Sequence, residues 1–255
     1  MNNYALITGS SKGIGKSLAI NLAKKGYNLL LVARSGEILD ELKDKIQSSY
    51  NVVVHTLAVD LSEVDAASRV HAWCLPYNVS ILINNAGYGL WGKFENLSLK
   101  EQMNMLQLNM NTLVELTYYL MPLLKQHKEA YIMNIASTAA YQAVPTLGLY
   151  SASKAFVLSF SRALAFELKG TINVTCICPG PVETGFAERA GVSVLNKMAE
   201  KFNMQPDEVA DIAIRGMFDK QIEVIPGLTN KITAFANRLL PKFFIEKTAA
   251  GIYKT

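Results

Sequence analysis

A doubly wound α/β fold with a mainly parallel sheet is predicted by three features of the 255-residue chain. Short, near-continuous apolar runs alternate with longer helix-period segments to the end of the sequence. The runs show no polar alternation, as strands covered by helices on both faces require. A glycine-rich turn follows the first run. The first strand is expected at 4–8, Tyr-Ala-Leu-Ile-Thr, and the turn that ends it opens a helix over 14–25. The leucine-rich run 28–33 makes the second strand and the valine-rich run 52–59 the third. The fourth, 79–83, precedes a helical pattern near 98–127, and the fifth, 131–136, precedes another over 151–169. A sixth strand at 172–177, a helix over 206–218 and a last strand at 223–225 bring the sheet to about seven strands. No repeat, low-complexity tract or Gly/Ser/Pro linker divides the chain, so 1–255 reads as one domain. Residues 228–255 form a C-terminal helical extension in which Ile232, Phe235, Ala236, Leu239 and Leu240 recur at helical spacing. That amphipathic helix is expected to pack within the protein or its oligomer, with a crevice lid and a membrane surface as the alternatives.

Composition narrows the class. Half of the residues are hydrophobic and 18% are charged, which excludes disorder as the main state. The formal net charge of +4 includes no run of like charges, and a nucleic-acid partner is not expected. Cys74, Cys176 and Cys178 lack zinc-ligand spacing, so neither a disulfide framework nor a metal site is expected. The start reads as a strand and not as a signal peptide, and Glu115, Pro122, Pro226 and Lys231 interrupt the apolar stretches before they reach membrane-spanning length. A cytoplasmic protein without an integral membrane span is expected.

In a doubly wound sheet, ligands bind where loops leave the carboxyl ends of the strands. The first such loop is Thr8-Gly9-Ser10-Ser11-Lys12-Gly13-Ile14-Gly15. A tight strand-to-helix turn would account for the glycines alone. Their place after the first strand favours a dinucleotide pyrophosphate held by Gly9, Ser11, Lys12, Gly13, Ile14 and Gly15 at a helix N-terminus. The second strand ends Val32-Ala33-Arg34, where an NAD-selective site would carry an acid. Arg34 and Lys12 instead supply two cations suited to a 2′-phosphate, so NADP(H) is the expected cofactor.

Ser137 follows the fifth strand, and Tyr150 and Lys154 come 13 and 17 residues later, four apart and hence on one helix face. With 11 tyrosines in the chain, that pair carries little weight alone. It gains weight from its company. In order stand Thr8 to Gly15, Asp60-Leu61, Asn84-Asn85-Ala86-Gly87, Asn109, Ser137, Tyr150, Lys154 and Pro179-Gly180-Pro181-Val182-Glu183-Thr184.

On these motifs, which run nearly the whole chain, the sequence resembles the short-chain dehydrogenase/reductases. The branch is the one with a T-G-x-x-x-G-x-G turn and a Y-x-x-x-K pair, and the tail is similar to bacterial members of broad DltE-like type. The resemblance implies a Rossmann-type sheet and carbonyl–alcohol chemistry by hydride transfer. In it Tyr150 is the acid-base, Lys154 lowers the phenol's pKa and holds the nicotinamide ribose, and Ser137 bonds the substrate oxygen. Asn109 would hold a water leading from Lys154 to solvent. Asp60 and Leu61, the turn Asn85-Ala86-Gly87, and Pro179, Gly180, Val182 and Thr184 would border the cofactor, with Asp60 on the adenine amino group. Asn84 reads equally as a sheet brace. The family's habit of pairing through the helices near 98–127 and 151–169 implies a homodimer or homotetramer.

Tyr88, Leu90, Trp91 and Phe94, with Phe186, Ala190, Val192, Val194 and Leu195, would border the crevice and suit a bulky, uncharged carbonyl or alcohol; internal packing is the other reading. A carbonyl reductase is therefore expected, ahead of a 3-oxoacyl-[acyl-carrier-protein] reductase and a dinucleotide sensor without turnover.

Overall fold

The computed structural model describes residues 3–183 and 204–252. Strands β1 (Tyr4–Thr8), β2 (Asn28–Ala33), β3 (Val54–Ala58), β4 (Val79–Asn84), β5 (Tyr131–Ile135), β6 (Asn173–Ile177) and β7 (Glu223–Val224) form one parallel sheet in the order 3-2-1-4-5-6-7. The order reverses between β1 and β4, and the crevice opens at their carboxyl ends. β2, β4 and β5 are buried at every position. That explains their unbroken apolar sequence, because both faces lie under helices.

Helices α1 (Gly13–Lys24), α2 (Gly36–Ser49) and α7 (Pro206–Phe218) cover one face, where Leu18, Leu22, Leu39, Ile46 and Met217 pack on Ile7, Leu31 and Ile83. Helices α3 (Ala66–Cys74), α4 (Leu99–Leu106), α5 (Thr112–Leu124) and α6 (Gly148–Glu167) belong to the other, where Val70, Leu116, Leu120 and Leu164 pack on Leu6, Leu82 and Ile132. α8 (Leu228–Leu239) and α9 (Lys242–Ile252) follow β7. No helix among the described residues is long and apolar enough to cross a membrane.

Three elements depart from expectation. The single helix expected near 98–127 is broken by a π turn at Gln107–Asn111, and α5 then continues through Pro122 to Leu124. A π turn shifts one step of the hydrogen-bond ladder to i→i+5 and changes the hydrophobic period too little for the sequence to disclose it. The third and seventh strands are also shorter than expected because they lie at the two edges of the sheet.

Candidate active site

The glycine turn is built by close approach. Gly9 and Gly13 have φ of 65° and 51°, and a Cβ on Gly15 would collide with the Gly9 carbonyl and the Asn85 amide. From below, the Asn85 Nδ2 donates to the carbonyls of Thr8 (2.9 Å) and Gly9 (3.1 Å), while the Thr8 hydroxyl accepts from the backbone N–H groups of Asn85 and Ala86. Asn85, expected to border the cofactor, thus also braces the loop that would hold it. The first turn of α1 contains no acidic residue, and Lys12 at its N-cap is exposed, so nothing there opposes an anion. Arg34 is exposed at the end of β2, beside the half-buried Ser35. Asp60 Oδ1 accepts from the backbone and the hydroxyl of Ser62, at 2.9 and 2.7 Å, and the Leu61 carbonyl accepts from the Thr112 hydroxyl, fixing this turn to α5.

One turn of α6 separates Tyr150 from Lys154. Lys154 is buried; its Nζ donates to the Ile135 carbonyl at the end of β5 (2.8 Å) and lies 5.8 Å from the centroid of the Tyr150 ring. Loss of hydration lowers its pKa from the ordinary 10.5 to about 8. Cys176 and Cys178 nearby would counter this only as thiolates, and a hydrogen bond with Cys178 together with burial holds Cys176 well above the usual thiol range. A Cβ on Gly87 would meet Asn109 Oδ1 at 3.0 Å and Lys154 Nζ at 3.4 Å. Glycine at this position therefore lets amide and amine approach the same turn.

Asn109 was expected to hold a water leading from Lys154 to solvent; its side chain makes three hydrogen bonds within the protein. Oδ1 accepts from Tyr88 N (3.1 Å), and Nδ2 donates to Tyr88 O (2.9 Å) and to Ser153 Oγ (3.1 Å). Ser153 in turn donates to the Tyr150 carbonyl at 2.7 Å, so Asn109 ties the loop after β4 to the helix carrying the tyrosine. Ser137 is half-buried beyond β5; its Oγ accepts from Ala139 N and caps a 3-10 turn, Thr138–Tyr141, that packs on α6.

After β6, the Pro179 carbonyl accepts from Thr138 N, Gly180 abuts Asn230, and Val182 makes a parallel bridge to Met204. Thr184, Phe186, Ala190, Val192, Val194 and Leu195 lie outside the described residues.

The model of the family described as short chain dehydrogenase matches residues 3–194. The chain belongs to that family of oxidoreductases. A very-long-chain 3-oxoacyl-CoA reductase of Danio rerio is 33% identical over 173 residues, covering 66% of this dehydrogenase and 54% of the fish protein. The chain thus matches about half the length of that relative. The very-long-chain 3-oxoacyl-CoA reductase of Rattus norvegicus is 28% identical over 260 residues, covering 100% of this chain and 81% of the rat protein. Among solved structures, a short-chain dehydrogenase from Sphingobium yanoikuyae in complex with NADPH aligns with a TM-score of 0.84 at 30% identity over 94% of each chain. The DltE-like branch stays an expectation from the sequence.

Sequence reasoning missed several supports of this dehydrogenase site. Asn84 donates to Thr117 Oγ1 and Asn134 Oδ1, and Asn134 donates to Ser161 Oγ. This buried ladder, at 2.9 to 3.1 Å, joins β4, β5, α5 and α6 behind the tyrosine. Asn84 is thus the sheet brace of its two readings. Polar residues inside otherwise apolar strands, Asn84 and Asn134, were the signal for it. Of the aromatics expected at the crevice, Tyr88 is buried with its hydroxyl donating to the Glu101 carbonyl, whereas Phe94 is exposed. A cavity of about 110 Å³ lies beside the start of α6, lined mainly by Leu90, Phe94, Leu97, Met105 and Leu149.

Proposed function

We propose that this chain is an NADP(H)-dependent reductase that converts a ketone with an apolar body to its alcohol, and that it works as a cytoplasmic homodimer or homotetramer. The observation that carries the reading is the buried Lys154 ammonium, fixed on the Ile135 carbonyl and set beside the Tyr150 ring. A free phenol titrates near pH ~10 and is a weak proton donor at neutral pH. A neighbouring cation in a site of low dielectric favours its phenolate and brings the acid-base closer to working pH. Tyr150 then gives its proton to the carbonyl oxygen, Lys154 stabilises the phenolate left behind, and Ser137 orients that oxygen by a hydrogen bond. The bound cofactor supplies the hydride.

The residues present fit such a cofactor. The turn from Gly9 to Gly15 is packed so closely that a Cβ on Gly9 or Gly15 would collide with neighbouring backbone or with Asn85, and its helix N-terminus carries no opposing acid. Arg34 and Lys12 offer the 2′-phosphate two exposed cations. The Sphingobium relative holds NADPH, which supports the same choice. Arg34→Asp combined with Lys12→Ala should weaken NADPH at least about tenfold more than NADH, since charge-assisted bonds to the phosphate are lost only from the former. Equal losses, measured by fluorescence titration of both cofactors, would remove the phosphate clamp.

The apolar cavity beside α6 and the relatives' named substrates favour a ketone bearing a long or bulky hydrocarbon portion, including 3-oxoacyl thioesters. NADPH oxidation should be followed over a panel of 3-oxoacyl thioesters of rising chain length, bulky ketones and small charged sugars. The expected outcome is a kcat/KM that rises with apolar size. Preference for the sugars would sink the substrate assignment, and NADPH binding without turnover on any carbonyl would favour the sensor. Tyr118, Tyr119, Phe156 and Phe166 remain exposed on α5 and α6, which supports pairing through those helices.

A further inference from the structure

We propose that the outward face of α8 and α9 is a docking surface for an anionic lipid bilayer, on which the protein rests without crossing it. The proposal is independent of the catalytic reading. It begins with the orientation of α8. Leu228, Ile232, Phe235 and Leu239 fall on one stripe of this helix, and they are 74, 61, 61 and 69% exposed. The opposite face meets the protein: Ala234 is buried, and Asn230 donates to the Pro226 carbonyl (2.7 Å) and lies against Gly180. A helix that served only the core would be turned the other way round. The pattern continues past the turn, where Leu240, Phe243 and Phe244 are also exposed. A contiguous apolar surface of this kind marks an interaction site.

Charge identifies the occupant. Residues 228–255 contain Lys231, Arg238, Lys242, Lys247 and Lys254 against the single acid Glu246, a balance of +4. That is the whole net charge of the chain, so residues 1–227 are neutral with 20 basic and 20 acidic side chains. The net charge therefore has one seat, although no run of like charges marks it. Lys231 and Lys242 are exposed, and Lys247 holds its amine 6.0 Å from the Phe243 ring centroid. Large apolar side chains flanked by lysines are the composition of an interfacial helix, whose hydrocarbon face enters the acyl boundary while its amines stay at headgroup level. A second copy of this chain fits less well, because a two-fold contact through this face would bring two segments of +4 together.

The experiment is co-sedimentation of the full chain with two kinds of vesicle, phosphatidylcholine alone and phosphatidylcholine mixed with phosphatidylglycerol. Two variants are compared, Ile232→Gln/Phe235→Gln/Leu239→Gln and Lys231→Glu/Lys242→Glu, each checked for wild-type circular dichroism and NADPH binding. The wild type should pellet with the mixed vesicles and be released by high salt. Each variant should lose about tenfold or more in partitioning, and neutral vesicles should bind the wild type far less. Equal partitioning of wild type and variants, or equal binding to both kinds of vesicle, overturns the proposal. So does a wild type that ignores both kinds while light scattering shows the triple variant dissociating a dimer, since a second copy would then cover this face.

Discussion

Tyr150→Phe is expected to lower kcat by about 10² to 10⁴, the usual worth of a positioned general acid, while leaving NADPH affinity almost unchanged. The separation follows from where the hydroxyl sits in the argument. Only the oxygen is deleted, and the ring keeps its contacts with the core formed by Met105, Leu116 and Leu164. The backbone position of residue 150 is held independently by Ser153, which is held by Asn109. The cofactor loop is braced by its own set of bonds, from Asn85 and Thr8. Rapid-reaction measurement of hydride transfer, alongside a cofactor titration, checks both halves. Turnover within tenfold of the wild type would show that another group delivers the proton. Full loss of NADPH binding would show that the substitution disturbed the crevice as a whole.

The sheet and the cofactor turn were legible in the sequence because their physics is local. Strands buried on both faces must be apolar throughout, and 28–33 and 79–83 are. A turn that folds back until an earlier carbonyl and a neighbouring side-chain amide occupy the place of a Cβ excludes side chains there, and Gly15 advertises that. The approach of Lys154 to Tyr150 could be expected from their spacing, but the environment of the amine could not. Burial of Lys154 depends on Ile135 and on Cys176 and Cys178, which arrive from strands distant in sequence. The partners of the Asn85 amide were not legible for a related reason: an amide at a strand end can face the crevice or the neighbouring loop, and spacing does not choose between them. The C-terminal stripe was read correctly as a stripe. Helical spacing says that one side is apolar, not which side meets solvent, and in α8 it is the apolar side that does.

Lys154→Met should abolish turnover and yet make the cofactor-free fold more stable at pH 7. Folding takes the ammonium out of water, and its pKa falls from 10.5 to about 8. Below that folded-state value lysine is protonated in both states, and the full cost of burying the charge is present, about 3 kcal/mol at 1.36 kcal/mol per unit. Methionine fills a similar volume without it. The substitution also deprives the Ile135 carbonyl of its donor, a loss of about 1 to 2 kcal/mol. A net gain of about 1 to 2 kcal/mol remains, which is a rise of roughly 2 to 8 °C in Tm for a chain of this size. Between pH 8 and 10.5 the unfolded chain holds a proton that the folded chain has released, so the wild type gains stability as pH rises through that window. The variant's advantage therefore shrinks from pH 8 upward, reaches zero inside that window and reverses by 10.5, where only the lost bond to the Ile135 carbonyl still separates the two proteins. Melting curves at pH 7 and at the alkaline end of the window provide the test. A variant less stable than the wild type at pH 7, or an advantage that persists undiminished in alkali, would mean that the amine is not held in a desolvated, energetically costly position. The same cost explains why a lysine stands here at all. On the proposed mechanism, a group that destabilises the fold is kept because it would lower the barrier of the reaction, with Tyr150 as the residue that benefits.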